Sequence, residues 1–449
     1  MSELPNATLT QQLSQLVVNT APTSEARALA RAGLLDFVAV SLPIVQGDIA
    51  DTPLKSLQQV YCADDAQTRA LLLGYAGHAL DFDDFHPDFR GHPTTVILPV
   101  LFALAQGNAE IAGDAFLDAY IIGVETAGRL GLAAGPQHYK AGYHSTATLG
   151  SIAAAAAAAR LAGATVEQTA NILGIAATRA SGLRAQFGSV VKPLHAGFAA
   201  ESAVIASRLA LAGFEGQPDG VLEAFLASGG GGQQRPEKLT SDWGAPWRIV
   251  SPGLEFKPYP TCAGTHSAAD AAFILRAEWL EKSEKTPADL FADIESIEVS
   301  FPPGGDIAAS VTHPHSRIEA RFSLEYVIAA TLLHNRLSLS DFGEGPVDDG
   351  INALAGKVSR SPDMTAPPDE IDPTQRFHQV TLSRKNGEQL TCRVTRQQSV
   401  AKGVDLRRKL ESCLSLRSPQ AWDEIEVLCQ LGTPGALSEL AKRLTSFQT

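Results

Sequence analysis

Apolar positions fall at helical spacing through most of the first 240 residues. Residues 9–18 predict a short helix. Thr23 and Ser24 then set small hydroxyls before Glu25, Ala26, Arg27 and Ala28, a capped start to a helix continuing to about residue 39. Over 66–82, Ala66, Leu71, Leu72, Leu73, Tyr75 and Ala76 recur too densely for a solvated face, predicting a buried helix. Further helices are expected over 93–105 and 113–132, with a loop over 131–142. His144-Ser145-Thr146 opens a small-residue helix reaching about residue 162, and Thr165 with Gln168 has capping-box spacing for a helix over 166–180. An alanine-rich helix is expected over 197–212, and Gly229–Gly232 reads as a surface loop.

The texture changes near Leu254. Ile297, Val299 and Phe301 alternate with Ser296, Glu298 and Ser300, which predicts a strand. Residues 378–393 predict a hairpin, with Asn386-Gly387 as a type I′ turn pair. Helical pattern returns over 323–334 and in the last fifty residues. The fold class expected is mainly α, with a helical domain over 1–255, an α+β domain over 256–396, and C-terminal helices over 397–449 returning to the first domain.

At 449 residues, two domains are the default. A formal charge of -13 argues against nucleic acid as a partner but leaves room for a local basic pocket. Five widely spaced cysteines fit a reducing compartment. The alanine run at 153–159 ends at Arg160, short of a membrane span. With no signal-peptide pattern, the expectation is a cytoplasmic protein without a membrane partner.

One stretch concentrates chemistry. His78, Asp81, Asp83, Asp84, His86, Asp88 and His92 lie within about fifteen residues, between apolar segments. Helical spacing puts His78 and Asp81 on one face, suggesting that they pair. A D-x-D-D run can bind a divalent cation, but it serves better to orient an imidazole or a lysine. His92, between Gly91 and Pro93, can exchange a proton near neutral pH, or it can simply cap the next helix. Lys192 and Lys257 each precede a proline in apolar surroundings, where a lysine either binds an anion or snorkels to solvent. Tyr143 and His144 sit at a helix start that favours anions, or they merely end a loop. No phosphate-binding loop, serine elbow or zinc-hydrolase motif is present in the sequence. The residues suggest a small pocket for an anionic carboxylate, worked by side-chain acid–base chemistry without a required organic cofactor.

Five blocks carry a resemblance: H78-A-L-D-F-D-D with G-H92-P, G-Y-H144-S-T-A-T-L-G-S, K192-P-L-H-A-G, F-K257-P-Y-P-T-C, and A-R-F-S-L-E-Y at 320–326. In this order the chain resembles the MmgE/PrpD family, which includes 2-methylcitrate dehydratases, cis-aconitate decarboxylases and iminodisuccinate epimerases. The resemblance implies a helical domain with a smaller α+β lid, a homodimer, and a site between domains that needs neither cofactor nor metal. It assigns catalysis to Asp81, His92, His144, Lys192 and Lys257, with Tyr143, Cys262, Phe85 and His86 as substrate contacts. Phe85 stands where the decarboxylases carry threonine, and Cys262 where they carry histidine. The loop before His92 is one residue longer. The function expected is a lyase on a small di- or tricarboxylate, a dehydratase or decarboxylase. The alternatives are an epimerase of an iminodisuccinate-like dicarboxylate and a non-catalytic ligand-binding homologue.

Overall fold

The computed structural model describes residues 7–108, 110–217, 219–282, 286–369 and 375–448. Its helical part runs α1 (Leu9–Asn19), α2 (Ser24–Val45), α3 (Thr52–Val60), α4 (Ala66–His78), α5 (Thr94–Ala105), α6 (Gly113–Lys140), α7 (Ser145–Leu161), α8 (Val166–Arg179), α9 (Val191–Leu211) and α10 (Val221–Gly230). The smaller part holds α11 (His266–Lys282), α12 (Pro287–Asp293), β1 (Ile294–Phe301), α13 (Arg317–Ala320), α14 (Leu324–His334), α15 (Asp349–Ala355), β2 (Val358–Pro362), β3 (Phe377–Arg384) and β4 (Gln389–Thr395). The chain then closes with α16 (Arg396–Ala401), α17 (Leu406–Cys413), α18 (Pro419–Cys429) and α19 (Ala436–Thr445). This is the expected fold class: a large, mainly helical domain beside a smaller α+β region.

Helix starts follow the caps in the sequence. Thr23 accepts from the Ala26 amide, and Thr165 forms a reciprocal capping box with Gln168. Small residues let the bundle close tightly. Ala153 to Ala159 of α7 are essentially solvent-free, with α5, α6, α8 and α9 around them. At the crossing of α4 and α9, a Cβ on Gly74 would lie 2.9 Å from the Ala196 carbonyl oxygen, and one on Gly197 2.5 Å from that of Leu71. Only glycine permits this approach, and it sets the C-terminal end of α4 beside the start of α9.

The helix α2 has the length and hydropathy of a membrane span, and 78% of that span is buried inside the fold. Its central Asp36 pairs with Lys409 of α17 at 2.6 Å, so a C-terminal helix packs on the N-terminal bundle. Apolar residues of α17, α18 and α19 join the same buried cluster.

The sheet has order β2-β1-β3-β4, with β1 and β2 parallel and the other pairs antiparallel. Ile297, Val299 and Phe301 are buried on one face, as the alternation predicts, and α11 packs on β3 and β4. The hairpin forms, but its turn differs from the expected type I′. Arg384 closes onto Glu388, and Gly387 alone has positive φ (85°). This is a three-residue loop ending in a left-handed glycine, because Asn386 keeps ordinary φ.

Several helix boundaries also differ: α2 runs on to Val45, α9 starts at Val191 rather than 197, and Gly229 and Gly230 of the expected surface loop are buried at the end of α10. The predicted 66–82 helix ends at His78. The loop expected over 131–142 is instead helical to Lys140, broken at Gly135 (φ 70°) before Pro136.

Candidate active site

The loop after α4 is the floor of the site. Asp81 sits there in the left-handed region (φ 49°) and is buried. This reversal turns its carboxylate away from His78 and toward two lysines. Asp81 Oδ1 accepts from Lys192 Nζ at 2.8 Å and from Lys257 Nζ at 2.9 Å, and its main-chain oxygen accepts from Lys257 at 2.8 Å. Lys192 arrives on the first turn of α9, placed by the glycine crossing, and Lys257 on the segment entering the α+β region. Burial alone would raise the Asp81 pKa, but Lys192 and Lys257 together outweigh it and hold the group well below the usual carboxylate range.

His78 therefore does not pair with Asp81. Its Nδ1 lies 2.9 Å from both Asp83 oxygens, and its Nε2 2.8 Å from Lys192 Nζ. A carboxylate accepts and an ammonium donates, so His78 is a neutral bridge protonated at Nδ1. Burial lowers its pKa to about 3, against the pull of Asp83.

His92 Nδ1 is 2.6 Å from the carbonyl oxygen of Asp84, with Asp83 Oδ2 at 3.3 Å. A carbonyl only accepts, so Nδ1 carries the proton and the neutral ring keeps its lone pair at Nε2. Burial lowers the His92 pKa, with Asp83 pulling the other way and Lys257 reinforcing the drop. The His92 amide donates to Thr146 Oγ1 at 3.1 Å, which ties the loop to the first turn of α7. Gly91 is needed there, since a Cβ would lie 2.9 Å from that same oxygen.

Asp84 has the opposite character from Asp81. Burial and nearby Asp36 raise its pKa well above the ordinary value, and it takes a hydrogen bond from Thr94. Lys409 Nζ donates to the Phe82 carbonyl at 2.6 Å while holding Asp36, so α17 braces the same loop from below. Sequence reading had no signal for this brace, because Lys409 stands more than 300 residues from the loop.

A cavity of about 910 Å³ opens above these groups. Asp81, His92, His144, Lys192, Lys257, Phe85 and Cys262 all line it. His144 Nδ1 meets His195 Nδ1 at 3.1 Å, and the Phe187 ring stands edge-on at 4.9 Å. The Phe85 ring lies edge-on to His92 at 5.8 Å. Burial raises the Cys262 thiol pKa, and its sulfur lies 3.7 Å from the Ala308 carbonyl.

Two expected contacts are not on the cavity wall. The His86 ring is buried against Arg248, its Nε2 3.0 Å from that carbonyl. Tyr143 stacks on His138 at 4.8 Å. The tyrosine that lines the cavity is Tyr139, carried there by the helical turn after the Gly135 break, and burial pushes its hydroxyl up to about 12. Arg90, Arg376 and Arg396 also reach the wall, and the sequence reading missed all three. Arg376 and Arg396 come from the hairpin and its end, whose docking no local pattern reveals.

His78, Asp83 and His92 place one possible metal-ligand atom each within 4.8 Å of one another. Both ring nitrogens of His78 are already engaged, on Asp83 and on Lys192, so holding a cation there means giving up one of those hydrogen bonds.

Acid should weaken this fold. Burial lowers the pKa of His78, His266 and His378 to about 3, and of His86, His138 and His195 to about 4. In the unfolded chain each titrates near 6.5, so between about 6.5 and 4 the unfolded state binds more protons. Stability is then full above about pH 6.5 and falls as pH drops, by up to about 1.4 kcal/mol per histidine per unit. Burial raises the pKa of Asp84, Asp36, Asp51 and Glu201, which works in the opposite sense, but the histidines outnumber them. Thermal melting from pH 8 to 4.5 is expected to show a steep fall below about pH 6; a flat profile down to pH 5 would show that these rings titrate normally.

The sequence also aligns with known proteins over most of its length. The MmgE/PrpD N-terminal domain matches residues 11–227, and the MmgE/PrpD C-terminal domain matches residues 259–427. Cis-aconitate decarboxylase of Homo sapiens is 29% identical over 337 residues, covering 72% of this chain and 66% of that protein. The Mus musculus protein of the same name is 30% identical over 336 residues with the same coverage. Cis-aconitate decarboxylase of Aspergillus terreus is 31% identical over 311 residues, covering 63% of this chain and 61% of its own length. This chain thus spans just under two thirds of the length of these relatives. With both halves matched in order, the chain belongs to the MmgE/PrpD family.

Proposed function

We propose that this protein is a lyase acting on a small di- or tricarboxylate, making or quenching negative charge alpha to a carboxylate. The observation that carries this reading is the meeting of Lys192 and Lys257 on Asp81, on one cavity wall with a histidine whose lone pair is at Nε2. The lysines hold a substrate carboxylate and spread the charge of the enolate that develops from it. In decarboxylation the bond to a departing carboxylate breaks, carbon dioxide leaves, and the electron pair passes into that enolate. His92 Nε2 takes up a proton from solvent water and, as imidazolium, passes it to carbon. In dehydration His92 Nε2 removes the alpha proton, the imidazolium so formed protonates the hydroxyl on the neighbouring carbon, and water leaves as the enolate's electron pair forms the double bond. The cis-aconitate decarboxylases among the relatives favour the first course. An epimerase is the second reading, favoured by His144, a second imidazole on the same cavity.

Proton NMR in deuterated water, on a panel holding cis-aconitate, 2-methylcitrate and iminodisuccinate, separates these courses. Loss of carbon dioxide or water with deuterium entering the product is the expected result. Alpha-proton exchange without net loss would replace the lyase by the epimerase. No turnover and no exchange across the panel would sink both.

A further inference from the structure

We infer that the cavity contains a second anion subsite centred on Arg90, with Tyr139 and Arg376 beside it, which takes a carboxylate remote from the reacting carbon. This rests on the carboxylate-pocket reading above and extends it to substrate selection.

Lys192 and Lys257 already face Asp81, and Asp83 stands behind the two neutral histidines. Two ammoniums are thus matched by two carboxylates before any substrate arrives. That wall can polarise one carboxylate, but it has no surplus charge for a second or third. The surplus has to come from elsewhere in the cavity.

Of the other cations on the wall, Lys140 and Arg235 are exposed to solvent, Arg376 is clamped by Asp369 and Arg396 by Glu255. Arg90 differs. Among the described residues, no hydrogen bond or salt bridge engages its guanidinium. It is half-buried, and loss of solvent lowers its pKa, with Asp369 and then Asp88 pulling it back through space. A guanidinium drawn out of water without a close partner is costly unless an anion comes to it. Its backbone is in the left-handed region (φ 54°), an uncommon state for a non-glycine residue. The fold accepts that state one residue before Gly91, in the same loop that delivers His92. Arg90, Tyr139 and Arg376 all line the one cavity, and Arg376 acts electrostatically on both of the others. Together they offer a planar fork and a hydroxyl that stays protonated, a donor set suited to a carboxylate.

The cavity volume agrees with this placement. About 910 Å³ lies at the upper end of ordinary ligand pockets and is generous for a two-carbon span between anionic groups. The subsite therefore selects polycarboxylates over simple dicarboxylates. Phe85, whose ring stands beside His92, leaves the apolar side of the cavity to the carbon skeleton.

Isothermal titration calorimetry with two unreactive probes tests this: tricarballylate, with three carboxylates, and glutarate, with two. The wild-type protein should bind tricarballylate more tightly. Arg90→Gln should weaken tricarballylate by about tenfold or more and glutarate by less than about threefold, and Arg90→Lys should fall between. Position 90 already holds a branched-off side chain at positive φ, so glutamine brings no new backbone strain. If Arg90→Gln leaves the ratio of the two affinities unchanged, the subsite is wrong while the carboxylate pocket stands. If the wild-type protein binds neither probe, or Lys192→Gln alters neither, the pocket reading falls and the subsite falls with it.

Discussion

His92→Ala is expected to lower turnover by about two to four orders of magnitude, the usual range for a lost general acid or base. The melting temperature should change little by comparison. The structure explains the asymmetry. The His92 ring gives up one hydrogen bond, to the Asp84 carbonyl, and faces a cavity on its other side. The loop itself stays anchored through the His92 amide on Thr146, which alanine preserves. Steady-state kinetics on whichever panel substrate turns over, alongside a thermal melt, measures both effects. A variant that melts far lower yet keeps its residual kcat would mark His92 as a core histidine.

Asp81→Ala should do the reverse and damage the fold as much as the chemistry. Both lysines on its carboxylate are buried, with side chains 4% and 2% exposed. Removing the carboxylate leaves two ammoniums close together, with only the Asp81 main-chain oxygen and the His78 ring to receive them. Breaking a buried pair in this way costs about 3–5 kcal/mol. Denaturant unfolding of the helical domain is the measurement. A loss below about 1 kcal/mol would mean that the lysines turn to solvent, contrary to their burial. Asp81→Asn, which keeps an acceptor but no charge, should fall between the two.

The contrast between these residues shows how far the sequence could be read. Helix and strand identity was largely legible because apolar periodicity and hydroxyl caps are local signals, as at Thr23, Thr165 and the Ile297–Phe301 alternation. Residues destined for the cavity were legible where they stand in apolar surroundings, as Lys192 and Lys257 do. Their partners were not. The spacing of His78 and Asp81 suggested a helical pair, but the helix stops at His78 and a left-handed Asp81 exchanges one partner for another. Tyr143 stood next to His144 in sequence, whereas the helical turn after Gly135 put Tyr139 on the wall instead. Asp36 and Lys409 support the floor across more than 370 residues, a relation that exists only after folding. The arginines of the hairpin region are equally invisible to a local reading.

The way the cavity wall is shared between the two parts of the chain has an evolutionary consequence. Asp81, His92, His144 and Lys192 belong to the helical bundle, and their buried charges constrain one another closely. Lys257 and Cys262 enter the same balance from the segment leading into the α+β side, whereas Ile307, Ala308, Arg376 and Arg396 enclose the space without, among the described residues, a hydrogen bond or ion pair to those charges. Lineages of this fold can therefore drift toward new acids by altering the sheet and its loops, while the proton-transfer apparatus is inherited unchanged.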